Sequence, residues 1–235
     1  MKIFRHGDYT IARDEGTDFA VVEHNNNFYK LDDTTMESLF DKSTLEYVRT
    51  DRDNPIYMIG MVLTILFTLF LYFRNTAYSI IDINFVPATL VLIGNIFIHE
   101  FGHILFLKCF YKNSHVKIGF KFIFIWPAFY VDTSYSYMVS KYKRVAIYLA
   151  GNFMNCLYVL LILFFLPQFI PYCYLVITNI LVNFIPIIKS DGYYAVITLF
   201  NKTNQNKSKV ATTVEDSIRG LIMFVVLSIF SWISQ

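Results

Sequence analysis

Long stretches of this sequence lack charge. Asn54 to Phe73 contains no Lys, Arg, Asp, Glu or His, and neither does Val145 to Ile188. Between them, Phe85 to Phe110 carries only His99, Glu100, His103 and Lys108 as ionisable residues. An ordinary water-soluble domain spreads its charge more evenly. At 55% hydrophobic residues and a mean hydropathy of +0.45, the chain is too apolar for that class. Cysteine is scarce as well. Cys109, Cys156 and Cys173 sit in or beside apolar runs without paired C-x-x-C spacing. That argues against a disulfide framework and against a cysteine zinc site, and reads them as packing residues. Residues 1–53 contain no apolar core region, so no signal peptide is expected there. The net charge of +2 divides unevenly: residues 1–53 hold 7 Lys/Arg against 12 Asp/Glu, and the basic excess lies beyond them. This balance makes no case for nucleic-acid binding.

What the chain does have is length in its apolar runs. Val145 to Ile188 as one helix would extend about 66 Å at roughly 1.5 Å per residue, about twice a bilayer core. It must fold back, and Pro167-Gln168-Phe169-Ile170-Pro171 supplies the turn. Leu221 to Gln235 is a shorter candidate for a fifth span. Lys112, Lys117, Lys121, Lys141, Lys143 and Arg144 fall in one connection, and Lys202, Lys207, Lys209 and Arg219 in another. The short connections 74–84 and 167–172 contain only Arg74. The positive-inside rule then puts the N-terminus and both Lys-rich connections in the cytoplasm.

Ionisable residues at membrane depth are costly and default to a functional reading. Here they spell His99-Glu100-Phe101-Gly102-His103, an H-E-x-x-H motif. Residues four apart share a helix face, so His99 and His103 can hold one zinc ion with Glu100 beside it as general base. Catalytic zinc usually takes a third protein ligand. Later candidates are His115, Asp132, Asp191, Glu215 and Asp216. Asp191 alone matches the depth of the histidines, judged by its distance from the following Lys202; the others lie in connections. Pro186 and Gly192 flank it, and a broken backbone at membrane depth is tolerated where it lines a wet cavity.

The chain resembles the site-2 protease family of intramembrane zinc metalloproteases. The residues that carry this are His99 to His103, Asn183-Phe184-Ile185-Pro186 running to Asp191-Gly192, and Ala150-Gly151 with Asn155 between them. Asn152 stands where that family commonly has proline. Finer details, Asp191-Gly192-Tyr193-Tyr194 with Lys189 before it and Phe129-Tyr130-Val131-Asp132, are similar to the bacterial "peptide zinc metalloprotease" branch linked to peptide maturation. The resemblance implies one zinc per chain, bound by His99, His103 and Asp191. It implies Glu100 as the base that activates the zinc-bound water, and Asn183 as a holder of substrate backbone. Lys189 receives no catalytic role, and Asp132 reads as a turn or strand-end residue.

Val116 to Ile125 alternates with period two and reads as a strand that Pro127 ends or bends. Such a strand at the membrane surface offers an edge to an extended substrate. Near the N-terminus, Phe19-Val22 and Phe28-Leu31 read as strands around Asn25-Asn26-Asn27, followed by a short helix over Asp33–Phe40. That order is similar to leader-recognition domains of peptide-modifying systems.

The expected architecture is an all-α polytopic membrane protein of 4–5 transmembrane helices, with a membrane-associated β-hairpin and a small α+β cytoplasmic segment. Residues 1–53 would form the N-terminal module. Residues 54–235 would form the membrane-embedded metalloprotease domain, with its core at 85–200. The expected activity is zinc-dependent hydrolysis of a small peptide precursor or membrane-associated peptide, in a multi-pass protein of the bacterial cell membrane. The expected partners are a peptide or membrane-protein substrate and the lipid bilayer. The competing readings are a regulatory protease that releases a membrane-tethered factor, and a non-proteolytic export or immunity protein.

Overall fold

The computed structural model describes residues 1–14, 19–75, 84–123, 126–184 and 190–200. The N-terminal part is a five-stranded antiparallel sheet: β1 (Lys2–His6), β2 (Tyr9–Arg13), β3 (Phe19–His24), β4 (Asn27–Asp32) and β5 (Glu46–Thr50), in the order β4-β3-β2-β1-β5. Asn25 and Asn26 both adopt positive φ, 52° and 62°, between the paired His24 and Asn27. That is the two-residue hairpin turn for which asparagine is suited. Helix α1 (Asp33–Leu39) follows directly. Side chains alternate across the sheet. Ile11, Ala20 and Val22 pack against Met36 and Phe40 on one face. Ala12, Phe19 and Val21 face the other way, onto Leu107, Tyr135, Met138, Val139 and Ile147. The sheet thus shares a core with the helical part.

The two strands and the helix expected from the sequence are present, and β1, β2 and β5 join them. β5 is exposed along its whole length, so its residues carry no apolar alternation. Its place is set by long-range pairing, Lys2 with Thr50 and Phe4 with Tyr47. Asp51 then accepts from the Ser140 amide at 2.7 Å and pairs with Lys143, and Asp53 accepts from the Tyr142 amide at 3.1 Å. These carboxylates pin the end of the sheet to the first turn of a distant helix, where free amides favour negative charge.

Beyond the sheet, the described residues form five α-helices: α2 (Ile56–Asn75), α3 (Phe85–Phe110), α4 (Lys141–Phe165), α5 (Cys173–Phe184) and α6 (Asp191–Leu199). Among the described residues, three segments are long and apolar enough to cross a membrane: Ile56–Arg74, Phe85–Phe110 and Lys141–Phe165. α2 and α3 leave Phe67, Phe70, Phe73, Leu90, Phe97 and Phe101 exposed, an apolar surface fit for lipid. α4 is the central helix and packs against α2, α3, α5 and α6. The chain reverses after Phe165 through a short 3-10 turn at Pro167–Tyr172, because Pro167 has no N–H to continue the α-helical ladder and turns Leu166 away from it.

In the fourth apolar segment the described residues form α5, of 12 residues, and α6, which begins at Asp191. Pro186 and Lys189 lie outside the described residues, as do the 201–219 connection and the candidate span at 221–235. Among the described residues the chain is largely helical, with three helices long and apolar enough to cross a membrane and an N-terminal antiparallel sheet.

The connection between α3 and α4 forms a hairpin, β6 (Ile118–Ile123) and β7 (Trp126–Val131), with Ile118 opposite Val131 and Phe120 opposite Phe129. Pro127 lies within β7, where the proline was expected to end a strand. A two-stranded sheet is all edge, and edges accommodate proline. A 3-10 turn at Ser134–Met138 leads into α4. Buried Arg144 holds that turn, donating to the carbonyls of Ser136, Val139 and Tyr137 at 3.1, 3.2 and 3.4 Å.

Candidate metal centre

α3 carries His99 and His103 on one face, and α6 delivers Asp191 in its first turn. The two Nε2 atoms are 3.3 Å apart. Asp191 Oδ2 lies 3.0 Å from the Nε2 of His99 and 3.3 Å from that of His103. A tetrahedral zinc with bonds of roughly 2.0–2.1 Å separates its ligands by about 3.3 Å. The triangle therefore has the edge lengths such an ion requires. His103 Nδ1 is 2.8 Å from the Ile147 carbonyl, which can only accept, so the ring proton sits on Nδ1. Its Nε2 then presents a lone pair toward a carboxylate and a second imidazole. Electron-rich atoms converging at this distance suit a cation between them. Among the described residues, His99, His103 and Asp191 form a group able to hold a metal ion.

The three side chains differ in exposure. The His103 side chain is 4% exposed, His99 12% and Asp191 28%, which makes Asp191 the most accessible of the three.

Close helix contact makes the arrangement possible. A Cβ on Gly151 of α4 would collide with the His99 ring and lie 2.7 Å from His103 Nε2. One on Gly102 of α3 would lie 2.7 Å from the Ala150 carbonyl. Glycine at these crossing positions lets the backbones approach, as small residues do between membrane helices. Gly192 does the same for α6: a Cβ there would strike the Asn183 carbonyl. Ser190 donates to that same carbonyl at 2.8 Å, fixing where Asp191 enters.

Glu100 is one residue round the helix from His99. Its Oε2 accepts the Val131 amide at 2.8 Å, tying β7 to α3. Glu100 also borders an apolar cleft of about 440 Å³ whose other walls include Ile96, Phe97, Phe101, Phe129 and Val131. A cleft with such walls suits an apolar side chain.

Asn183 lies at the C-terminal end of α5. Its amide donates to Asn152 Oδ1 at 3.1 Å, linking α5 to α4. In this geometry it braces the helices around Asp191. Asp132 closes a turn after β7, accepting from the Ser134 amide at 3.0 Å. The three cysteines are free thiols, Cys156 and Cys173 buried and Cys109 exposed.

Two contributors escaped the sequence reading: the Ile147 carbonyl and Asn155, whose side-chain amide lies 3.0 Å from His99 Nδ1. A backbone carbonyl leaves no trace in side-chain chemistry. Asn155 entered the sequence reading only as part of a motif, with no role at the metal assigned, although its spacing of four from Gly151 places both on one face of α4.

No protein-family model matches the chain, and no solved structure does. A Bacillus subtilis (strain 168) protein described as "Putative peptide zinc metalloprotease protein YydH" is 28% identical over 230 residues, covering 89% of this chain and 88% of its own. The likeness runs through the N-terminal sheet as well as the helices, since it spans nearly the whole of both chains.

Proposed function

We propose that this protein is a zinc-dependent endopeptidase of the site-2 protease type, cutting a small peptide precursor or membrane-associated peptide at the edge of the lipid bilayer. The observation that carries the reading is the triangle of His99 Nε2, His103 Nε2 and Asp191 Oδ2, with edges of 3.0 to 3.3 Å, set on an apolar helix. The description of the Bacillus subtilis relative supports the metalloprotease class. Its word "peptide" favours maturation of a peptide over release of a membrane-tethered factor.

In this reading His99, His103 and Asp191 hold one zinc per chain. Bound there, the zinc would supply Lewis acidity, acidifying water and polarising the scissile carbonyl. Glu100 takes the proton of the attacking water and returns one to the leaving amine. The Val131 amide holds one oxygen of the Glu100 carboxylate in place. The cleft beside Glu100 receives an apolar substrate side chain. The β6–β7 hairpin lies along the cleft and offers an edge for an extended substrate, since a helical peptide hides its carbonyls. Asn183 aligns substrate indirectly, through the brace to Asn152. The multi-pass placement has the N-terminal sheet on the cytoplasmic side, as the lysine distribution indicates.

The test is zinc content of the detergent-purified chain beside Asp191→Ala, followed by incubation with a peptide library read by mass spectrometry. One zinc per chain, lost in the variant, with cleavage absent in Glu100→Gln, is the expected result. Zinc without any Glu100-dependent cleavage would favour the non-proteolytic export or immunity role. No zinc in a folded wild type would remove the proposal.

A further inference from the structure

Three positions on α4 spaced by four residues face the two histidines. The Ile147 carbonyl is 2.8 Å from His103 Nδ1. Gly151 leaves room for both rings. The Asn155 side-chain amide is 3.0 Å from His99 Nδ1. α3 and α4 run antiparallel, and the histidines, four residues apart, meet partners eight residues apart on α4, one per ring, with Gly151 midway between them.

The chemistry at His103 is settled by its partner, because a carbonyl can only accept. At His99 the partner is an amide, which has a donating and an accepting end. Asn155 is wholly buried, and among the described residues its Oδ1 has no hydrogen-bond partner. A neutral imidazole that offers the Nε2 lone pair to a metal must carry its proton on Nδ1. That N–H needs an acceptor, and the orphaned Oδ1 belongs to the side chain whose amide lies 3.0 Å from Nδ1. Turning the Asn155 amide about its last bond brings Oδ1 to Nδ1. With the amide nitrogen there instead, His99 carries its proton on Nε2 and donates it to Asp191, which suits the metal-free site.

We propose that Asn155 is a positioning residue for the metal centre: its Oδ1 accepts the His99 Nδ1–H, so that with the Ile147 carbonyl helix α4 orients both imidazoles with Nε2 toward the ion. This rests on the zinc reading above and adds the group that selects the tautomer. An asparagine serves here because its two ends match the two tautomers, loaded and empty. Outer partners of this kind change metal affinity by about 10–100-fold when removed.

The experiment is a zinc competition titration against a chromogenic chelator on the full chain in detergent. It compares wild type, Asn155→Leu and Asn155→Asp, with helix content followed by circular dichroism. Asn155→Leu keeps the volume and removes the acceptor, so zinc affinity should fall about 10–100-fold. Asn155→Asp offers only acceptors, so affinity should equal or exceed that of wild type. In zinc-loaded wild type labelled with ¹⁵N-histidine, both motif histidines should show protonated Nδ1. Undiminished affinity in a folded Leu variant overturns the proposal. So does a folded Asp variant that binds zinc tenfold or more weakly than wild type, and this comparison decides even where Leu fails to fold. Both outcomes leave the zinc reading standing, because wild type binds. A wild type without zinc overturns both.

Discussion

Gly151→Ala should destroy the metal centre while improving the helix that carries it. The added methyl would overlap the His99 ring and stand 2.7 Å from His103 Nε2. Ordinary contact begins near 3.4 Å, so the His103 ring must retreat by about 0.7 Å and the His99 ring by more. Metal sites tolerate ligand displacements of only about 0.2 Å. Neither ring has slack, since His103 is held by the Ile147 carbonyl and His99 by Asn155. We expect zinc affinity to fall by at least 100-fold, roughly the effect of losing one ligand. Alanine is a better helix former than glycine by about 1 kcal/mol, so the helix itself is not weakened. The assay is zinc stoichiometry and chelator competition on the detergent-purified chain, with circular dichroism as the fold control. Wild-type zinc affinity in Gly151→Ala would refute the close packing of α4 on the motif.

Glu100→Gln keeps an oxygen for the Val131 amide, so zinc content should stay at one per chain while cleavage falls by about 100-fold or more; lost zinc would show that Glu100 has a structural role. Gly192→Ala drives a Cβ into the Asn183 carbonyl and moves Asp191, and should weaken zinc about tenfold in the same titration. Arg144→Ala strips three carbonyls of their buried donor and should cost about 3 kcal/mol, read as a lower thermal midpoint in detergent. An unchanged midpoint there would mean that the Ser134–Met138 turn stands without the guanidinium.

Apolar length and periodicity are local properties, and they were legible. The helix at Phe85–Phe110 has the bounds its composition implies, and the Pro167–Pro171 stretch does reverse the chain. The His99 and His103 pair is likewise local, because spacing of four is enough to align two side chains on a helix. Asp191 could be proposed from its depth, but its distance from the histidines could not. That depended on Gly192 and Ser190 fitting α6 against Asn183, across 88 residues from His103. Non-local pairing explains what the sequence left out. β5 is an exposed strand with no pattern of its own and exists because β1 pairs with it. The donation of Asn183 to Asn152 is likewise a property of two helices in contact, which no local pattern announces. The sequence by itself determined which chemistry is available, two imidazoles and carboxylates in an apolar helical chain. Only the tertiary structure decided which lone pairs converge, because tautomers and ligand distances are set by a neighbouring helix: the Ile147 carbonyl, the space at Gly151 and the Asn155 amide.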